Sequence, residues 1–99
     1  MLFRPGRIVC TRGVEDRRCG DFGFFEFVEE SLGRHLMGDW GDLCPDDREL
    51  NDKAIAAEQR GETTDSLFSM YRHTDGTEIY IITEWNRSVT TILFTYEYR

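Results

Sequence analysis

The apolar positions of this 99-residue chain fall into one strand-like run, two helical stripes and a β-rich last third. Arg7–Thr11, RIVCT, follows a Pro5-Gly6 turn and predicts a short strand. Arg12–Gly20, RGVEDRRCG, is polar and predicts a loop with a single helical turn at most. From Asp21 the spacing becomes helical: Phe25, Val28, Leu32 and Leu36 recur at three- and four-residue steps and form one stripe. Asp21 stands at the N-cap position, and Gly38 closes the element as a C-terminal glycine. Phe27 lies about 160° from the centre of that stripe, beside Arg34. It is either covered by the N-terminal strand or the Arg12–Gly20 loop, or it is a contact residue for a partner.

A second helix is expected from Pro45, because a proline at the first helical position gives up an N–H that would be unpaired there anyway. Cys44 is then the N-cap. Asp46, Asp47 and Glu49 fall in the first turn, where negative charge complements the helix dipole, and Glu49 precedes Lys53 in the favourable i, i+4 order. Leu50, Ala54 and Ala57 form a thin apolar stripe that Gly61 ends.

LFSMYRHT, EIYIITE and VTTILFTYEY, starting at Leu67, Glu78 and Val89, are rich in β-branched and aromatic residues. Asp75-Gly76 fits a two-residue type I′ hairpin turn, a register that pairs Thr74 with Thr77, Tyr71 with Tyr80 and Met70 with Ile81. Trp85-Asn86-Arg87-Ser88 turns the chain into its last strand. The expected fold is α+β in a single domain spanning 1–99: an N-terminal strand, two helices and a three-stranded antiparallel meander, with the helices on one face of the sheet.

Charge adds a second layer. Nineteen acids against twelve bases give a net −7, unevenly spread. Residues 1–18 hold five Arg against Glu15 and Asp16, a local +3, which leaves −10 on the remainder. Such a chain repels nucleic acid and membrane surfaces and favours basic partners. Three cysteines without C-x-x-C spacing argue against a disulfide framework and for a reducing, cytoplasmic setting. The first residues are too short and interrupted an apolar run for a signal peptide, and no stretch approaches the ~20 residues of a membrane span.

Candidate chemistry is sparse. Asp39, Asp42, Asp46 and Asp47 do not follow EF-hand spacing, and His35, His73 and the cysteines show no zinc-ligand spacing, so no metal or cofactor is expected. PDDRELNDK lacks the acid two residues before Lys53 that a nuclease pattern requires. His35, Asp39, Glu84 and Arg87 are the one set that could converge as an enzyme site at the junction of helix and sheet, and no phosphate-binding glycine loop is present. The expectation is a protein that is not an enzyme.

GDWGDL at Gly38–Leu43 and IITEWNRSVTTIL at Ile81–Leu93, with RHL at Arg34–Leu36 and DGTEIYIITE at Asp75–Glu84, resemble a family of small "plasmid-related" proteins of bacterial mobile elements. The likeness spans roughly residues 30–94 and departs from the family pattern at Trp85-Asn86. It implies no reaction, cofactor or catalytic residue. It implies a mobile-element context, in which small acidic proteins inhibit host defence complexes, and it makes GDWGDL the hinge between two helices. Gly38 and Gly41 permit the turns, and Trp40 folds back onto the core with its indole N–H seeking a partner such as a helix-end carbonyl.

These readings converge on a non-enzymatic inhibitor of a nucleic-acid-targeting defence complex, an anti-CRISPR or antirestriction protein. Asp39, Asp42, Asp46, Asp47, Glu49 and Asp52 lie within fourteen residues with only Arg48 among them, an array suited to the basic groove that such a complex uses for phosphates. Phe27 and Trp85 are candidate aromatic contacts. The alternative is a mobile-element accessory protein that acts through protein–protein contact, as a homodimer paired along its last strand.

Overall fold

The computed structural model describes residues 1–98. Its elements are β1 (Arg7–Cys10), α1 (Arg12–Gly20), α2 (Phe22–Leu36), α3 (Pro45–Gln59), β2 (Leu67–Arg72), β3 (Glu78–Thr83), β4 (Val89–Phe94) and a final 3-10 turn (Thr95–Glu97). The fold is α+β, with three helices rather than two, and the expected antiparallel meander of β2, β3 and β4 is extended by β1 into a four-stranded mixed sheet. Strand order is β1-β4-β3-β2, with β1 parallel to β4 and the other pairs antiparallel. The last strand is therefore interior. Both of its edges are used, which removes it as the dimerising edge. Among the described residues no helix is long and apolar enough to cross a membrane.

Arg12–Gly20 is a helix, not a loop. Thr11 caps it by accepting from the Val14 N–H at 3.3 Å, and Val14 is its one fully buried side chain. A single apolar residue in nine gives no periodicity to read. On α2 the buried positions are Phe24, Val28, Ser31 and His35, so the stripe is rotated by one residue from the Phe25, Val28, Leu32, Leu36 reading. Relative to this stripe Phe27 lies only about 70° off centre. It is half-buried against Phe24 and His73, covered by the β2–β3 hairpin rather than by the N-terminal strand or α1. On α3 the inward side is Asn51, Ala54 and Ile55, while Leu50 is 63% exposed.

The β2–β3 register is Tyr71 with Ile79 and Met70 with Tyr80, one residue from the type I′ expectation. Thr74, Asp75 and Gly76 together form the loop: His73 N–H donates to the Thr77 carbonyl, and Gly76 takes the left-handed conformation at φ +92°. Because side chains alternate, that slip decides which face β3 buries. Leu67, Ser69, Tyr71, Ile79, Ile81, Thr83, Thr90 and Ile92 all face the helices.

The core holds two apolar clusters. Val14, Phe24, Val28, Tyr71, Ile79, Ile81, Ile92 and Phe94 form the larger, and Phe3, Trp40, Ala54, Ile55 and Leu67 the smaller. His35 lies edge-on to Phe3 and Trp40 and is fully buried. Its polar atoms enter a chain of hydroxyls. Thr90 donates to the Pro5 carbonyl at 2.7 Å, so Thr83 donates to Thr90 at 2.7 Å and accepts from His35 Nε2–H at 2.9 Å. His35 Nδ1 is left to accept from Ser69. The ring is neutral, and burial, helped by the Arg87 charge, pushes its pKa down to about 4.

Candidate functional site

The acidic segment is built outward from Trp40. Helix α2 ends in a Schellman turn: Asp39 N–H donates to the Arg34 carbonyl and Gly38, at φ +82°, donates to the His35 carbonyl. The chain then runs along the edge of β2, where Met70 N–H donates to the Trp40 carbonyl and Asp42 N–H to the Met70 carbonyl at 2.7 Å. Gly41 is required here, since a Cβ would stand 2.0 Å from the Met70 carbonyl oxygen and φ is +74°. Trp40 is 4% exposed and fills the smaller cluster, and its indole N–H donates to Asp52 at 3.0 Å. The partner is a carboxylate on the next helix, not a helix-end carbonyl. This bond ties α3 to the junction.

Asn51 fixes α3 a second time. Its amide donates to the Phe68 carbonyl at 2.7 Å and accepts the Phe68 N–H at 3.1 Å, so a side chain stands in for a neighbouring strand. Arg48, the one base inside the acidic run, turns back to donate to the Leu43 and Gly41 carbonyls. Neither role was legible in the sequence, where Arg48 was only the one base among the acids. An asparagine on the inward side of a weakly apolar helix is the signal that could have marked Asn51.

The six acids have different fates. Asp39 is held in a two-pronged pair by Arg34, at 2.7 and 3.1 Å, which with the Gly41 N–H keeps its carboxyl below the usual range. Its charge is neutralised within the protein, so Asp39 does not add a free carboxylate to the expected array. Asp52 accepts the Trp40 N–H, and Asp47 accepts the Cys44 thiol. Glu49 reaches Lys53 at 3.3 Å, a pair about two-thirds exposed on each side and of little energetic weight. Asp42 and Asp46 have no ion pair among the described residues and face solvent. Asp46, Glu49 and Lys53 project opposite the inward Asn51, Ala54 and Ile55. On the other side of α3, where it meets β2, runs an open groove of about 500 Å³ lined by Asp47, Leu50, Asn51, Asp65, Ser66 and Phe68.

Comparison with protein-family models, with curated proteins and with solved structures finds no match. The site therefore rests on its own geometry.

Trp85 is 58% exposed but stands apart from the acids. Arg87 of the same turn binds Glu58 in the last turn of α3 at 2.8 Å, whereas Asp46 opens the first turn, about 18 Å away along the axis. Phe27 belongs to the α2–hairpin contact. Neither aromatic joins the acidic junction. No hydrogen bond or ion pair links the side chains of His35, Asp39, Glu84 and Arg87 to one another: His35 bonds Ser69 and Thr83, Asp39 bonds Arg34, and Arg87 donates to Glu58 and to the Asp65 and Glu84 carbonyls. Among the described residues no group of three or more His, Cys, Asp or Glu is placed to hold a metal ion.

Proposed function

We propose that the protein is a non-enzymatic acidic inhibitor that occupies the basic nucleic-acid-binding surface of a bacterial defence complex, of the anti-CRISPR or antirestriction kind. The observation that carries this reading is the double anchoring of α3. Trp40–Asp52 and Asn51–Phe68 hold the helix while Asp42, Asp46, Asp47 and Glu49 remain exposed. A helix backbone fixed in this way presents its carboxylates with no ordering of the main chain left to do, so more of the Coulomb attraction survives as affinity. Leu50, exposed on the same helix between the directions of Asp46 and Asp47, adds an apolar contact. The resemblance to plasmid-related proteins supports the same context. Asp39, Phe27 and Trp85 are peripheral in this reading.

The test is capture of purified CRISPR effector or restriction complexes on the immobilised protein at low and high salt. Binding that falls steeply with salt supports the proposal. Absent or salt-insensitive binding across such complexes rejects it.

A further inference from the structure

The two edges of the sheet are treated oppositely. The β2 edge is closed by the Asn51 side chain at Phe68 and by the Trp40–Asp42 segment at Met70. The β1 edge has no such cover. Arg7 N–H donates to Ser88 and Thr11 N–H to Ile92, so alternate residues face β4 and the main-chain groups of Ile8 and Cys10 point outward. Among the described residues these groups have no main-chain partner. Ile8 is 44% exposed.

Charge selects what can lie there. Arg7 lies on β1, Arg4 and Arg12 stand just before and just after it in the chain, and all three are exposed. Arg4 and Arg7 have no ion pair among the described residues, and Arg12 meets only Asp16, at 4.0 Å with its side chain 95% exposed. A second copy of β1 would set one group of exposed arginines beside another, and this concentration of like charge opposes self-pairing. A nucleic acid would meet the arginines but leave the N–H and C=O groups of Ile8 and Cys10 unpaired. We infer that the free β1 edge docks an extended acidic segment of a partner protein, added to the sheet as a fifth strand. Main-chain bonds to Ile8 and Cys10 supply the pairing, and carboxylates opposite Arg4, Arg7 and Arg12 supply selectivity. This surface uses none of the acids on α3 and stands independently of the preceding proposal.

The experiment is an amide NMR titration of the whole protein with a short blocked peptide alternating Glu with Val and Thr. The same peptide with Lys for Glu and a single-stranded oligonucleotide serve as rival probes. The Glu peptide is expected to shift the Ile8 and Cys10 amides and slow their exchange. Replacing two of the three arginines (Arg4→Glu with Arg7→Glu) weakens this roughly tenfold, because exposed charges are reversed without loss of core contacts. Ile8→Pro deletes an outward N–H while sparing the β4 ladder and abolishes the shifts, with melting as the control on folding. Unshifted Ile8 and Cys10 amides at millimolar peptide would overturn the inference. So would equal binding of the Lys peptide, or perturbation by the oligonucleotide alone. A concentration-dependent dimer abolished by Ile8→Pro would also overturn it.

Discussion

His35 gives the sharpest quantitative prediction, because its environment is closed and its hydrogen-bond direction is determined. Both ring nitrogens are committed to hydroxyls, Nε2–H to Thr83 and Nδ1 to Ser69. A second ring proton would displace the one Ser69 donates and bury a cation near Arg87. Folded His35 therefore stays neutral down to about pH 4, whereas the unfolded chain takes up its proton near 6.5. Between those values the unfolded state binds more protons, so stability falls as pH falls through the window. At about 1.4 kcal/mol per pH unit the gap corresponds to about 3 kcal/mol, of which about 2 kcal/mol is lost by about pH 5. Asp39, Asp21 and Asp75, whose carboxyls their hydrogen bonds hold low, lose stabilisation mainly below that point. Urea unfolding followed by tryptophan fluorescence from about pH 7.5 to 5 measures the effect, in a His73→Gln background so that one histidine remains. His35→Gln is less stable at neutral pH and lacks this dependence, so its deficit against the parent shrinks as pH falls. A deficit that stays constant across the window would refute the reasoning.

Other consequences follow from single contacts. Gly41→Ala forces a Cβ against the Met70 carbonyl and should cost more than about 3 kcal/mol, while Gly61→Ala, at φ +76° with nothing within 4 Å, should cost about 1 kcal/mol. Thermal melts giving similar values would contradict the close approach at Gly41. Trp40→Phe leaves Asp52 without its donor and opens a gap where the pyrrole ring packed, and should cost about 2–4 kcal/mol. Asp52→Asn retains an acceptor and should stay within about 0.5 kcal/mol of the parent; an equal loss from both would sink the assigned bond. Asp39→Asn should lower stability by no more than about 1 kcal/mol, since the Arg34 pair is roughly half exposed. It should also weaken binding to a basic partner less than Asp46→Asn does; the reverse order would show that Asp39 is not neutralised as described.

The elements with strong local signals were legible in the sequence. Cys44-Pro45 placed the start of α3, Gly38 and Gly61 marked the ends of α2 and α3, and the three C-terminal strands stood out by composition. Where several similar residues competed, spacing could not arbitrate. Phe24, Phe25 and Phe27 offer three stripes on α2, and the true one runs through Ser31 and His35, whose polarity hides them from an apolar pattern. The buried hydroxyl chain that satisfies His35 exists only after the sheet forms. The parallel β1–β4 pair was likewise invisible, since it closes across all three helices and has no local signal. The acidic run at the site was plain from composition, but the partners that neutralise Asp39 and engage Asp52 depend on side-chain placement.

Displacement of nucleic acid from a captured defence complex, compared between the parent protein and a variant with Asp42→Asn, Asp46→Asn, Asp47→Asn and Glu49→Gln, tests the acidic-surface proposal most directly. Melting and tryptophan fluorescence confirm that the variant folds. The parent is expected to displace nucleic acid in a salt-dependent manner and the folded variant to fail. Equal displacement by both proteins would contradict a docking role for the α3 carboxylates.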